Sequence, residues 1–513
     1  MSAAATSTNA GAQIGSKLWS MANTLRAAGV RPADYQAFIL PVLMFKVVCD
    51  RNAGVRAATI AEHGEEFWTD HGESLAPFTI PPGCSFDEQK AVAANLGEAL
   101  RTALIEIEKH NSELAGVFLG TDYADLDDER VRELYKVLAA VSFSPTETSQ
   151  DALGQAYEYL LGKFADAAGA KAGQFFTPVP VAQLLVRLVA PQPGETVYDP
   201  TCGSGGLLNA AAEYVEAQGN SRSEVALFGQ ELDGQSYAIA KVNMFLHGNS
   251  GQVAKGDTLL DPKFVDDDAL RRFSCSVANP PFGLANTAHA VWDKDRFGRS
   301  RWGSVTKKPA ELAFVAHIAH SLAGLPGEMP AADAEKDAAT EAPPVGRAAI
   351  VLPMGALFRK GVEAETRKRF LEAGLVDVVV ALPENLFFNT SIPASILVLR
   401  TKPRHDGQVL FVDASAGFTK VKKQNTLDAG HLDAVEKAVT TASDQGYVRT
   451  RLVAVADIVK ADSDLTVSRW LPQTSTVTVD VPAAMKALRA AEKASAEATA
   501  AFWERMKEAG YVG

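Results

Sequence analysis

The stretch SCSVANPPFG, residues 274–283, is an apolar run that ends in an amide, two prolines and an aromatic ring. Side chains of these types in this order suit one chemical problem, the activation of a flat exocyclic amine. The lone pair of such a nitrogen is delocalised into its ring, so the nitrogen is a poor nucleophile. Two acceptors fixed on its hydrogens pull it toward tetrahedral geometry and free the lone pair. The side-chain oxygen of Asn279 and the carbonyl of Pro280 can fill that role. Pro280 and Pro281 stiffen the turn through their locked φ angles. Phe282 can stack on a base for roughly 1–3 kcal/mol, which offsets much of the cost of flipping that base from a duplex. Alone, the same four residues also suit an ordinary proline-rich strand exit. No Pro-Cys-Gln is present, which argues against a cysteine nucleophile attacking a ring carbon.

A second constellation lies upstream. VYDPTCGSGGLL, residues 197–208, places Gly203, Gly205 and Gly206 between a predicted strand and a predicted helix. Glycines there let backbone approach a ligand, and the helix N-terminus offers free N–H groups to an anion. The spacing departs from the GxGxxG of dinucleotide folds. It suits a smaller anion, such as the carboxylate of a methionine-type cofactor; a tight turn with no ligand is the alternative. Glu231 closes the next predicted strand, where a carboxylate can accept both hydroxyls of a ribose. Asp257 closes the third, where it can accept from an adenine amine. Either acid alone reads equally as a capping or solvated group. With Asp199 they mark three successive strand ends, which favours a ligand site. Cys202, inside the turn, reads as a small packed thiol.

These residues need a frame that brings strand ends together. The strand candidates are 195–200, 225–231, 252–257, 274–280, 347–353, 376–383 and 394–400, with helical patterns between most of them. Such alternation implies an α/β fold with a mostly parallel sheet covered on both faces, and ligands sit outside the carboxyl ends of such strands. Residues 14–168 read as a helical domain behind a disordered tail over 1–13. Residues 169–475 hold the sheet, interrupted by an Ala-, Pro- and acid-rich mobile loop over 326–346. Residues 476–513 form a helical segment with Met485, Leu488, Ala491, Ala494, Ala498 and Phe502 near one face. The chain has 513 residues, 47% of them hydrophobic, and a net charge of −12. A stand-alone DNA binder shows a basic footprint, so any grip on DNA must come largely from a partner. Cys49, Cys84, Cys202 and Cys275 are scattered, which predicts neither disulfides nor a metal site and fits a reducing cytoplasm. The N-terminus lacks the pattern of a signal peptide, and FILPVLMF is too short to span a bilayer.

Beyond these two constellations, GQFFTP, GQELD, GDTL, LPMGALFRKG, LPENLFFNTSIPASILVL and DLTVSRW follow in order, with LWSMANTLR and YQAFILPVLMFKVVCD in the helical part. Over about residues 14–471 the chain resembles the modification (M) subunit of type I restriction-modification systems. The resemblance implies a Rossmann-like S-adenosylmethionine-dependent methyltransferase sheet with an N-terminal α-helical domain and a C-terminal helix. It implies methyl transfer from S-adenosyl-L-methionine to adenine N6 in double-stranded DNA, as part of host defence. It also implies a specificity (S) subunit as partner, two M to one S, which a restriction (R) subunit can join. By resemblance, Gln174, Phe175, Phe176, Thr177, Pro178 and Val179 form a loop that closes over the cofactor, although Thr177-Pro178 also makes a good helix start. Ser204, Gly205 and Gly206 then touch the methionine part and Glu231 the ribose, and Asn279, Pro280, Pro281 and Phe282 receive the adenine. The segment from Asp295 to Phe314 follows the family only loosely. Its Arg299, Arg301, Lys307 and Lys308 suit either phosphate contacts or a solvated basic loop. The C-terminal helix suits docking on the specificity subunit or packing on its own domain. Two other readings stay open: methylation of cytosine N4 or a protein amide, and a non-catalytic scaffold.

Overall fold

The computed structural model describes residues 3–118, 122–144, 148–168, 177–249, 251–325, 345–387, 393–421, 424–471 and 481–509. Residues 1–471 form one compact unit and 472–513 a second. Most of the loop expected over 326–346, and Gln174, Phe175 and Phe176, lie outside the described residues.

The first unit opens with helices α1 (Ala3–Trp19), α2 (Tyr35–His63), α3 (Leu96–His110), α4 (Asp128–Ala139) and α5 (Gln150–Ala168). The tail expected over 1–13 is therefore helical from Ala3 onward. Its alanines are the strongest helix formers, and Gly11 and Gly15 let α1 lie against α5. A Cβ added at Gly11 would come within 2.5 Å of Gln155. Met44 and Val47 of α2 and Leu100 and Leu104 of α3 share one core with Ile239, Val242 and Leu246 from the sheet region. The core of the helical part thus extends onto the sheet region.

Nine strands form the main sheet: β1 (Thr196–Asp199), β2 (Ala226–Glu231), β3 (Gln252–Lys255), β4 (Cys275–Ala278), β5 (Arg347–Pro353), β6 (Val376–Ala381), β7 (Ala394–Arg400), β8 (Gln408–Asp413) and β9 (Arg449–Ala454). Their spatial order is β3-β2-β1-β4-β5-β7-β6-β8-β9. β7 runs antiparallel between β5 and β6, and β9 is antiparallel to β8, while the remaining neighbours are parallel. Side chains alternate between two cores, as the two-residue strand period requires. Ala349, Val351, Ile396, Val398, Leu410 and Val412 face α6 (Val179–Val189), α7 (Gly206–Ala217) and α11 (Ala429–Thr441). Ile350, Leu352, Leu397, Leu399, Val409 and Phe411 face α9 (Glu311–His320) and α10 (Val362–Glu372). β1 leads through β2 to β3 on one side, and the chain then returns to place β4 on the other side of β1. The carboxyl ends of β1 and β4 diverge there, which opens a crevice at the switch point.

Helix α8 (Gly234–Leu246) ties the helical part to this sheet. The Tyr157 hydroxyl on α5 donates to the Ile239 carbonyl at 3.1 Å, and Gly154 lets α5 approach the His247 ring, 2.7 Å from where a Cβ would stand. Gly154→Val is expected to cost about 1–3 kcal/mol of stability by overpacking. Urea unfolding reads the loss, and adding His247→Ala should recover part of it.

Candidate functional site

The crevice holds a cavity of about 260 Å³ whose wall includes Thr177, Asp199, Gly203, Ser204, Gly206, Glu231, Asp257, Asn279 and Pro281. Residues from the ends of four strands therefore meet around one space. Gly205, Pro178, Val179, Pro280 and Phe282 are not among its lining residues. Gly205 instead lies against Ala240 of α8, with 3.5 Å left for a Cβ at φ +77°. Phe282 is half-buried and meets Phe387 edge to face at 6.2 Å between ring centroids. Pro178 caps α6 and Val179 begins it, so a helix starts directly after the Thr177-Pro178 pair.

Asn279 follows β4 directly, and its amide is oriented from one side. Nδ2 donates to the Thr177 hydroxyl at 3.1 Å, while Oδ1 is buried without a partner. Thr177 thus takes up the donor end of the amide and leaves the acceptor end for a ligand. Asp199 at the end of β1 repeats the pattern. Its Oδ1 accepts from the Thr201 amide at 3.0 Å, and its Oδ2 is buried and unpartnered. Burial, reinforced by the nearby Glu231 carboxylate, pushes the Asp199 carboxyl up to about 8. Such a carboxyl, kept protonated by its surroundings, ionises readily for a cation that enters beside it.

Glu231 does two jobs. Oε2 accepts from the Gly203 amide at 2.9 Å, which closes the glycine turn onto β2, and Oε1 accepts from the Asp233 amide at 2.8 Å. Burial holds its carboxyl above the usual range. Asp257 lies two residues past β3, which ends at Lys255 rather than at the predicted 257. Its Oδ1 accepts from the amides of Leu259 and Leu260 at 2.9 and 3.1 Å, so the acid caps a turn while lining the cavity. Cys202 is buried, and burial pushes its thiol well above its ordinary value. Among the described residues no cluster of His, Cys, Asp or Glu is arranged to hold a metal ion. No helix among them is long and apolar enough to cross a membrane.

One basic residue is corrected outright. Arg299 is 3% exposed and paired with Asp295 at 2.7 Å, so it does not track phosphates. Its guanidinium donates to the carbonyls of Leu259 and Thr258 at 2.8 and 3.2 Å, both residues of the cavity wall. It also donates to Nδ1 of His317 at 3.2 Å, and Nε2 of that ring meets the Tyr198 hydroxyl at 3.1 Å. Burial holds His317 far below its usual pKa, hence neutral. Lys307 and Lys308 remain exposed, and the Arg301 guanidinium lies 4.9 Å over the Trp302 ring. Three further supports escaped the sequence reading. Asn243 on α8 donates to the Ser204 carbonyl at 2.8 Å, the Thr258 hydroxyl to the Pro200 carbonyl at 2.5 Å, and the Cys202 amide to the Gln230 carbonyl at 3.0 Å. None has a motif; only the α8 periodicity, which turns Asn243 toward the glycine turn, could have singled one out.

A crevice at the β1–β4 switch beside a glycine turn, in a sheet that carries an antiparallel strand, β7, among parallel neighbours, is the S-adenosylmethionine-dependent methyltransferase fold. The N-6 DNA methylase family profile matches residues 148–325 and 338–478, and the HsdM N-terminal domain profile matches 14–141. The chain belongs to the N-6 DNA methylase family. The match skips 326–337, inside the predicted insertion. The type I restriction enzyme MjaIX methylase subunit of Methanocaldococcus jannaschii is 30% identical over 358 residues, 67% of this chain and 59% of that protein. The HindI methylase subunit of Haemophilus influenzae is 29% identical over 341 residues, 64% of this chain and 70% of that protein. The match thus spans less than two thirds of the first of these relatives. The solved type I restriction-modification methyltransferase subunit of Streptococcus thermophilus superposes with a TM-score of 0.74 at 29% identity, covering 90% of this chain and 99% of that one.

The Asp199 environment sets a pH dependence. A raised acid favours its protonated form, so the free chain loses stability at this site as pH climbs from about 4 to about 8. A cation bound beside Asp199 needs the ionised form. Affinity for a cationic ligand seated there should therefore tighten up to tenfold per pH unit below about 8 and level off above it. Calorimetry in buffers of different ionisation enthalpy should register a released proton near pH 7, and Asp199→Asn should abolish that release.

Proposed function

We propose that this chain transfers a methyl group from S-adenosyl-L-methionine to N6 of a flipped adenine in double-stranded DNA, as the modification subunit of a type I restriction-modification complex. The observation that carries the reading is the Asn279 amide, fixed through its nitrogen by Thr177 with its oxygen buried and unpartnered. It stands at the rim of the cavity that also holds Asp199 and Glu231.

The residues present fit the cofactor. Asp199 offers an orphaned carboxylate oxygen to its ammonium or sulfonium charge, Ser204 and Gly206 of the glycine turn offer amides to its carboxylate, and Glu231 and Asp257 offer acceptors to its nucleoside. When bound, it supplies a methyl group on a positively charged sulfur. The chain's own residues do the rest. Asn279 Oδ1 and the Pro280 carbonyl accept from the two hydrogens of the target amine and draw its lone pair out of the ring. Pro281 keeps the turn from relaxing, and Phe282 stacks on the base. After transfer the amine holds one proton too many, which passes to solvent water, since neither the Asn279 amide oxygen nor the Pro280 carbonyl is basic enough to keep it. By the family resemblance Gln174, Phe175 and Phe176, which lie outside the described residues, are assigned to cofactor binding with Thr177. Fixed acceptors of this kind act on charge that develops in the transition state, where one hydrogen-bonding group is worth about 10²–10³ in rate.

In this reading a specificity subunit supplies recognition and most of the grip on DNA, with which the net charge of −12 accords; two of these chains join one such subunit in the cytoplasm, and a restriction subunit can be added, as the family resemblance implies. The C-terminal helix, α12 (Val481–Glu508), carries exposed Met485, Leu488, Phe502 and Trp503 and is the segment offered for docking.

The test is transfer of labelled methyl to DNA by the chain with its specificity partner, followed by nucleoside analysis. N6-methyladenine is expected; N4-methylcytosine, labelled protein or no transfer would overturn the proposal. Asn279→Ala should abolish transfer while calorimetry still detects cofactor binding. Thr177→Val, which frees the amide to turn, should lower kcat about tenfold or more, and Thr177→Ser should restore it.

A further inference from the structure

The turn after β4 has a second anchor besides Thr177. The Gly283 amide, one residue past Phe282, donates to Oε1 of Glu311 at 2.8 Å. Gly283 has φ +67°, a left-handed conformation that makes the chain turn sharply there. Leu284, Ala285 and Thr287, which follow, form part of the cavity wall, and so does Phe314, one helical turn along from Glu311. The bond therefore sits between the residues offered to the target amine and the wall that adjoins them.

Glu311 is built to stay in place. Its side chain is 2% exposed, and an isolated buried carboxylate is costly. Three features offset that cost. It is the first residue of α9, where the helix dipole favours negative charge. Oε2 accepts from the Arg359 guanidinium at 3.3 Å, and that guanidinium also donates from Nε to Glu363 at 2.8 Å. The Gly283 amide supplies the remaining donor, and hydrogen bonds to a charged acceptor are roughly twice as strong as neutral ones. Arg359 follows β5 and its short helix Gly355–Phe358, so the turn after β4 is braced from α9 and from the exit of β5 together.

We infer that Glu311 is a positioning residue for the Asn279–Phe282 turn, setting through the Gly283 amide the distance between the acceptor oxygens and the target nitrogen. This rests on the function proposed above, since the positioned group is the amine cradle. An error of about 1 Å in such placement costs about a hundredfold in rate. The pair Glu311–Arg359 is not itself in contact with the reacting atoms.

The experiment compares Glu311→Gln, Glu311→Asp and Glu311→Ala in the full chain with its specificity partner. Gln keeps an acceptor at the same reach and loses the charge, whereas Asp keeps the charge and withdraws the acceptor. The expected order of kcat is wild type, then E311Q within several-fold, then E311D and E311A lower by about ten- to a hundredfold, with the cofactor Kd unchanged throughout. A readout free of DNA and cofactor accompanies it. Hydrogen exchange of peptides spanning 279–287 should quicken in E311D and E311A and stay near wild type in E311Q. E311D at the wild-type rate, E311Q slower than E311D, or exchange unmoved in E311D would overturn the inference. Should E311A fail to fold, the Asp and Gln variants still decide. A wild-type chain inactive on DNA would remove the proposed function, whereas the exchange result would still stand for or against the anchor.

Discussion

A polar atom buried without a hydrogen-bond partner costs about 1–3 kcal/mol, and this chain carries two on one small cavity: Oδ2 of Asp199 and Oδ1 of Asn279. In each case the other end of the same side chain is hydrogen-bonded, to the Thr201 amide and the Thr177 hydroxyl respectively. Neither group can therefore turn to satisfy itself. The cost is held in the fold until a ligand brings donors or positive charge. That constraint explains why so much structure converges on so few atoms. A looser frame would let Asn279 rotate or Asp199 find water, and the site would relax.

The frame meets that demand in layers. The alternation of apolar side chains fixes which face each strand presents, so the carboxyl ends of β1, β2 and β4 arrive in register. Turn-level bonds come next. Glu231 closes the glycine turn onto β2, Asn243 reaches it from α8, and Thr258 ties Pro200 to the far wall. Beneath them Arg299, neutral His317 and Tyr198 form a buried chain that holds the carbonyls of Thr258 and Leu259. Placing an arginine there is expensive in desolvation, and the paired Asp295 with three further hydrogen-bond partners offsets it.

The seven strands named from the sequence all exist, because each couples β-branched residues with a turn signal at its end. β8 and β9 were not foreseen. Their segments, QVLFVD and RTRLVA, follow the predicted last strand and form a parallel and an antiparallel extension that only long-range pairing reveals. In the helical part, SKLWSMANTLRAAG reads as one helix, yet the chain breaks at Ser20, whose hydroxyl turns back to the Lys17 carbonyl. At the site, motif residues were legible since glycine, asparagine and proline have restricted uses. Their supports were not, because Asn243, Arg299 and Glu311 are ordinary helix or loop residues until the fold brings distant segments together. Arg299 shows the hazard: within a basic run its charge looks solvated, and only the neighbouring Asp295 and the carbonyls across the chain draw it inside.

The sharing of α8 has a bearing on how such chains diversify. Ile239, Val242 and Leu246 complete the core of the helical part, while Asn243 on the same helix holds the Ser204 carbonyl of the glycine turn. The boundary that matters for recombination thus falls within the α/β region, past α8, rather than at the linker after α5. A hybrid that inherits its first 168 residues from one parent and α8 from another would pair mismatched surfaces at Gly154 and His247. Inherited together, the two would move between relatives as one block.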